Sequence, residues 1–169
     1  MRKNFRLFQS IVIVVDSREQ RPYTFKHPVI TGTLATGDYS LLGFEDKVAV
    51  ERKSIDDLVG CLKDDNRERF EKELARSRSL DYFCLVIEAS LSDLVQGQYR
   101  SNINPAAVVQ SILALGVRYR VPVWFAETRD LGQRITESIL EKYARDVCCR
   151  FEQLQKATEQ TWGAESVAV

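Results

Sequence analysis

VAVERKSIDDL, Val48 to Leu58, changes character in the middle. A short strand-like run from Val48 passes into Glu51, Arg52 and Lys53, and within one helical turn come Asp56 and Asp57. Ser54 opens a helix expected to reach about Leu62. Ser54 can cap it, Asp57 stands where the acid of a capping box stands, and Asp56 is favoured by the helix dipole. Along the strand, side chains alternate, so Val48, Val50 and Arg52 take one face while Ala49, Glu51 and Lys53 take the other. Glu51 and Lys53 then project together, roughly 6.5 to 7 Å apart by the rise per residue. Capping accounts for the aspartates. It does not account for an acid and an amine side by side on one strand face.

Working outward, DYSLL and KVAVERK flank the turn-like LGFED, so Asp38 to Lys53 is expected to form a β-hairpin. IVIVVD, Ile11 to Asp16, is a short β-branched run that fits a buried central strand. Residues 17 to 36 carry Pro22, Pro28 and Gly32 and form a loop, with a short strand expected near Val29 to Leu34. After the first helix come a second helical stretch, RERFEKELARSRS, and a buried strand, YFCLVIE, ending at Glu88. INPAAVVQSILALGVRY offers Asn104 as N-cap and Pro105 at the first helical position; it is apolar nearly all round, which predicts a buried helix. VPVWFA, Val121 to Ala126, is a further strand, and residues 128 to about 157 form one long amphipathic helix or two. This order of elements predicts an α/β fold with a mixed central sheet flanked by helices. Residues 1–150 form one domain in this reading, and 151–169 a helical extension and tail.

The 169 residues suffice for one domain with a substantial core. Four scattered cysteines, without C-x-x-C spacing, indicate neither a zinc site nor a disulfide framework, which fits a reducing, intracellular setting. No apolar run approaches the ~18 residues of a membrane span. Lys and Arg number 24, as do Asp and Glu, so there is no overall attraction to a polyanion and any nucleic-acid contact must be local. Candidate patches are Arg67, Arg69, Lys72, Arg76 and Arg78 on one helix and Arg2, Lys3 and Arg6 at the start. Glu68, Glu71 and Glu73 interleave with the first set, so a solvated, ion-paired face is the competing reading.

Asp38 begins the strand that partners Glu51 and Lys53. One carboxylate from each strand with a lysine makes a cradle for a hard divalent cation and a water, the oxygen chemistry of Mg²⁺ or Mn²⁺. Such a site suits phosphodiester hydrolysis. The single histidine, His27, sits in a loop before Pro28, which argues against a histidine-based triad. In VVDSREQ a second cluster, Asp16, Arg18 and Glu19, leaves the end of a central strand, a usual place for sites in α/β folds. The alternatives are an exposed ion-pair cluster on the strand and an ordinary turn at Asp16.

These residues together carry a resemblance. Gly37-Asp38-Tyr39, then Glu51-Arg52-Lys53 with Asp57 closing an ERK-x3-D pattern, preceded by Asp16 to Glu19 as DSRE and followed by RFEKEL, resemble the nuclease domain of the XPF family of structure-selective DNA endonucleases. The match runs from about Ile11 to Glu88, with compatible elements to about residue 147. The resemblance implies a restriction-endonuclease-like, three-layer core with Mg²⁺ or Mn²⁺ near Asp38, Glu51 and Asp16. It also implies that Lys53 serves the water, that Arg18 and Arg52 contact substrate phosphate or hold the carboxylates, that Glu19 belongs to the site and that Asp57 supports it. Arg52, Arg67, Arg69 and Arg76 are the expected DNA contacts. Family members cut one strand near a junction of duplex and single strand, such as a flap or fork, in repair or recombination. They usually act as homodimers or with a related subunit, cytoplasmic in bacteria and nuclear in eukaryotes. Residues 151–169 are too short, and lack the glycine hairpins, for the helix-hairpin-helix modules common in the family. Inactive partners of the same fold exist, so a non-catalytic scaffold for DNA binding or dimerisation is the alternative.

Overall fold

A computed structural model describes residues 11–165, apart from the side chains of Asp64 and of residues 160–165. Arg2, Lys3 and Arg6 lie outside the described residues.

Six strands form one sheet: β1 (Ile13–Asp16), β2 (Val29–Gly32), β3 (Tyr39–Leu41), β4 (Val48–Lys53), β5 (Tyr82–Ile87) and β6 (Val123–Phe125). Their spatial order is β2-β1-β3-β4-β5-β6. The β1–β2, β4–β5 and β5–β6 pairs are parallel, and β3 is antiparallel to both its neighbours. Five strands therefore point one way and β3 alone runs back. That gathers the carboxyl ends of β1, β4 and β5 and the start of β3 along one edge of the sheet, so Asp16, Asp38, Lys53 and Glu88 become neighbours.

The β3–β4 hairpin forms as expected, turning through Gly43 at φ +82°. Its buried Ser40 is satisfied by donating to the Val48 carbonyl at 2.6 Å. Gly37, just before β3, has φ +82°, and a Cβ there would sit 2.7 Å from that of Ala49. Only glycine lets the chain pass so close to β4 on its way to Asp38.

On one face of the sheet, α1 (Ile55–Gly60), α2 (Asp64–Ser77), α3 (Leu91–Val95) and α4 (Pro105–Tyr119) cover Ala49, Phe83, Leu85 and Ile87. On the other, α5 (Arg129–Glu165) packs Leu140 and Ala144 against Val48, Val50 and Val86. Tyr23 from the β1–β2 connection joins that second core and stacks on Tyr39 at 5.1 Å. The three layers match the expected α/β architecture.

Some elements differ from expectation. The helix from Pro105 buries Val108, Ile112 and Leu115 but leaves Leu113 and Val117 exposed, so it is a surface helix with an apolar outer side. The capped helix α3 was not anticipated. The last helix is single and runs unbroken through residue 150. No helix among the described residues is long and apolar enough to cross a membrane.

Candidate functional site

β3 pairs with β4 at Tyr39 and Val50, and the Asp38 amide donates to the Val50 carbonyl at 2.9 Å. Beyond Val50, β4 outruns its neighbour. The Arg52 amide, which has no ladder partner on that side, donates to the Asp38 carboxylate at 2.8 Å. The side chain of Asp38 thus continues the sheet where its backbone cannot, and its position is set by β4.

Glu51 and Lys53 project on the α2 side, as the alternation predicts. Lys53 Nζ donates to Glu51 Oε1 at 2.6 Å and lies 5.3 Å from the centre of the Phe70 ring. Both side chains are about nine-tenths buried. Glu51 and Asp38 line one polar cavity of about 390 Å³, together with Arg18, Thr36, Glu73 and Arg76.

Burial pushes the Asp38 carboxyl up to about 6, against the pull of the Arg52 amide and with the help of the Glu19 charge. Burial and then the Asp38 charge also raise Glu51, in spite of Lys53. For Lys53, burial works against the ammonium, but the charges of Glu51 and Glu73 outweigh it and keep the group protonated. The cavity thus holds two carboxylates that resist ionising side by side, an electrostatic demand that a cation would satisfy.

Asp16 is placed differently. Arg18 grips both its oxygens, through Nε at 2.7 Å and Nη2 at 3.0 Å, and the Leu34 amide adds a third donor at 2.7 Å. Burial alone would raise the Asp16 carboxyl, but these donors hold it below the ordinary value. Its backbone amide donates to the Asp38 carbonyl at 2.8 Å, so Asp16 braces the site by holding β1 to the chain entering β3.

Arg52 does not reach toward solvent as a DNA contact would. It turns to the α5 side, donating to Glu19 Oε2 at 3.2 Å and Glu88 Oε2 at 3.0 Å. Of the two roles open to it, holding carboxylates is the one its geometry serves. Arg67 is also misplaced for the expected contact, because it pairs with Glu71 at 3.0 Å and reaches Ser111 on α4. Asp57 supports the cap of α1: Ser54 Oγ accepts from its amide at 3.1 Å and donates to its carboxylate at 2.7 Å.

Arg69 and Arg76 fare otherwise. A second polar trough, about 630 Å³, shares Arg18, Glu73 and Arg76 with the first cavity and adds Arg69 and Lys72. Its acids Asp56 and Asp57 are occupied by Arg100 and by the α1 cap. Among the described residues neither Arg69 nor Arg76 is engaged in an ion pair, so a cationic wall continues from the carboxylates.

Among the described residues no three His, Cys, Asp or Glu side chains converge as a ready-made metal cage. The residues nonetheless fit a magnesium-type ion, which takes one or two carboxylates and completes its shell with water and substrate oxygen. Asp38 gives one oxygen to Arg52 and Glu51 gives one to Lys53, and each has a second. Thr36, on the same cavity wall, has a buried hydroxyl with no partner among the described residues, which suits a polar occupant. Thr36, Glu73, Glu88 and Arg129 were not singled out from the sequence. Only Glu88, at the end of a buried strand, carried a signal there.

Comparison with known proteins bears on the family and the fold. Residues 15–139 match the ERCC4 domain family. The fold is similar to that of XPF from Aeropyrum pernix, with a TM-score of 0.64 and 20% identity over 88% of this chain and 73% of that one. It is also similar to the same protein in complex with DNA, with a TM-score of 0.61 and 20% identity over 80% and 66% of the two chains. A Methanocaldococcus jannaschii protein, named provisionally as an ATP-dependent RNA helicase, is 29% identical over 148 residues. The chain spans 17% of that relative's length.

Proposed function

The chain belongs to the ERCC4 domain family, and from that premise we propose that it is a metal-dependent DNA endonuclease. In this reading it hydrolyses phosphodiester bonds near junctions of duplex and single strand, such as flaps or forks, in repair or recombination. The observation that carries the proposal is the shared cavity of Asp38 and Glu51, beside Lys53, opening onto the trough of Arg69 and Arg76. The relative solved with DNA supports the substrate class.

Asp38 and Glu51 would hold Mg²⁺ or Mn²⁺, which, when bound, lowers the pKa of a water and offsets charge on a phosphodiester. Lys53 stays protonated through Glu51 and donates to the attacking water or to the oxygen on which charge develops. Arg18, braced on Asp16 with its side chain about two-thirds exposed, meets a phosphate entering the cavity. Arg69 and Arg76 bind the backbone on either side of the cut. Asp57 shapes the trough wall by fixing α1, and Arg52 fixes Glu19 and the strand that carries Glu51 and Lys53. We propose also that the active form is a pair, of two copies or with a related subunit. A groove between β6 and α5, lined by Tyr82, Trp124, Ile139 and Tyr143, supports this. Free thiols at Cys61, Cys84, Cys148 and Cys149 support an intracellular setting.

One experiment tests the assignment. Wild type, Asp38→Ala and an Arg69→Glu/Arg76→Glu double variant are given flap, fork and linear duplex DNA with Mn²⁺. The expected result is cleavage of flap and fork by wild type, binding without cleavage by Asp38→Ala, and loss of binding in the double variant. Removing a metal-holding carboxylate should cost orders of magnitude in rate. Equal cutting by wild type and Asp38→Ala would refute the catalytic assignment, and binding without cutting by wild type would leave the scaffold reading.

A further inference from the structure

Arg52 is the point where the site meets the far side of the sheet. Its amide positions Asp38, and its guanidinium is shielded between Glu19 and Glu88, the three side chains being 13%, 5% and 12% exposed. Glu88 does not end the chain of contacts. Its other oxygen, Oε1, accepts from Arg129 Nη1 at 2.9 Å. Arg129 Nη2 in turn donates to the carbonyls of Arg21 and Pro22, and its guanidinium lies 4.8 Å from the centre of the Tyr23 ring. Nη1 is thus committed to Glu88 and Nη2 to the site's supporting loop.

The chain accepts unusual backbone geometry to aim Arg129 there. Glu127, two residues earlier, has φ +57°, a conformation that costs a non-glycine residue free energy. Its amide donates to the Ala89 carbonyl at 3.0 Å, and that of Ala126 to the Ile87 carbonyl at 2.8 Å. The turn into α5 is therefore locked to the end of β5, beside Glu88. Glu88 is held from β4 as well, its amide donating to the Lys53 carbonyl at 2.9 Å.

We infer that Glu88 and Arg129 are positioning residues of the site: through Arg52 they fix the backbone amide that orients the Asp38 carboxylate. The relay makes the first residue of α5 part of the active centre, although it touches neither cavity. This inference rests on the reading of Asp38 as a metal-holding carboxylate. Its first readout does not depend on catalysis.

The test compares wild type, Arg129→Ala, Arg129→Lys, Glu88→Gln and Arg134→Ala. Arg134 pairs along α5, with Asp130, and serves as control. In ¹⁵N–¹H spectra without DNA or metal, Arg129→Ala and Glu88→Gln should shift the Arg52 amide and speed its hydrogen exchange about tenfold or more. Arg129→Lys, which keeps the charge but not the fork, should fall between, and Arg134→Ala should match wild type. In flap cleavage with Mn²⁺, kcat should fall about 10- to 100-fold with KM little changed, the mark of misplacement rather than lost binding. An Arg52 amide that stays put in both Arg129→Ala and Glu88→Gln overturns the relay. So does a moved amide with unchanged kcat. If wild type cuts nothing, the nuclease reading fails while the amide still decides whether the coupling exists.

Discussion

An ionised Asp38 is costly to the folded chain, because its half-buried carboxylate loses much of its hydration and Glu19 lies near. Its folded pKa, about 6, exceeds the ordinary 3.8, so the folded state binds this proton more tightly than the unfolded state does. The stabilisation from protonation is fully present below about pH 4 and is lost as pH rises through 6. Asp38→Asn should therefore be more stable than wild type at pH 8, by about 1–2 kcal/mol after allowance for a weaker acceptor toward the Arg52 amide. That gap should close by about pH 4, while cleavage is lost throughout. Urea denaturation of both proteins at the two pH values measures it, and a gap that ignores pH would mean that Asp38 is not strained by its charge. That Glu51 and Lys53 would share a strand face, with Asp38 near them across the hairpin, was legible from alternation. Asp16 and Arg18 were legible as a local cluster, but their anchoring to Leu34 and the inward turn of Arg52 to Glu19 and Glu88 were not, since those partners lie far away in sequence.

The first turn of α5 is a fitted element. Gly132 faces Tyr23, and a Cβ there would stand 2.5 Å from the tyrosine hydroxyl, with no open space to take it. That hydroxyl is itself buried without a partner among the described residues. Gly132→Ala should destabilise the protein by about 1–3 kcal/mol through overpacking, despite alanine's better helix propensity. Adding Tyr23→Phe removes the obstructing atom and should restore most of the loss, a coupling that thermal melts of the two single variants and the double would reveal. Strictly additive losses would show that the ring and helix do not meet this way. Element identity was readable where periodicity ran long, as in β4, β5 and α5. The five-residue α3 was missed even though Ser90 and Asp93 form a capping box, because so few residues give no period to count. The expectation that α4 would be buried failed for another reason: an apolar composition cannot say whether a neighbour exists to cover Leu113 and Val117.

At the scale of the molecule, zero net charge separates into faces of different chemistry. Cations line the trough beside Asp38 and Glu51. On the opposite, α5 side, a groove of about 600 Å³ is lined by Tyr82, Trp124, Ile135, Ile139 and Tyr143. Trp124 stands on the edge strand β6 and is about half exposed. α5 continues past Ala144, its last residue in the buried core, and exposes Phe151 and Leu154. Such a stripe on a helix without a packed neighbour is normally covered by something. Asp146 and Asp81 on its rim are already answered within the chain, by Arg150 and by the Tyr143 hydroxyl, so what a second copy turned by a two-fold axis would cover is the groove's apolar lining. A pair arranged in this way would leave the sheet edge that carries Asp38 uncovered in both copies. Sedimentation equilibrium should show a wild-type dimer, and Ile139→Asp, which places a charge in the groove, should give a folded monomer by circular dichroism. Because the groove and the Asp38 cavity lie on different sides of the sheet, that monomer should keep the divalent-ion affinity of wild type. A wild type that remains monomeric at every concentration, or an Ile139→Asp variant that still dimerises, would remove this face from the assembly and move the search to the outer side of α4.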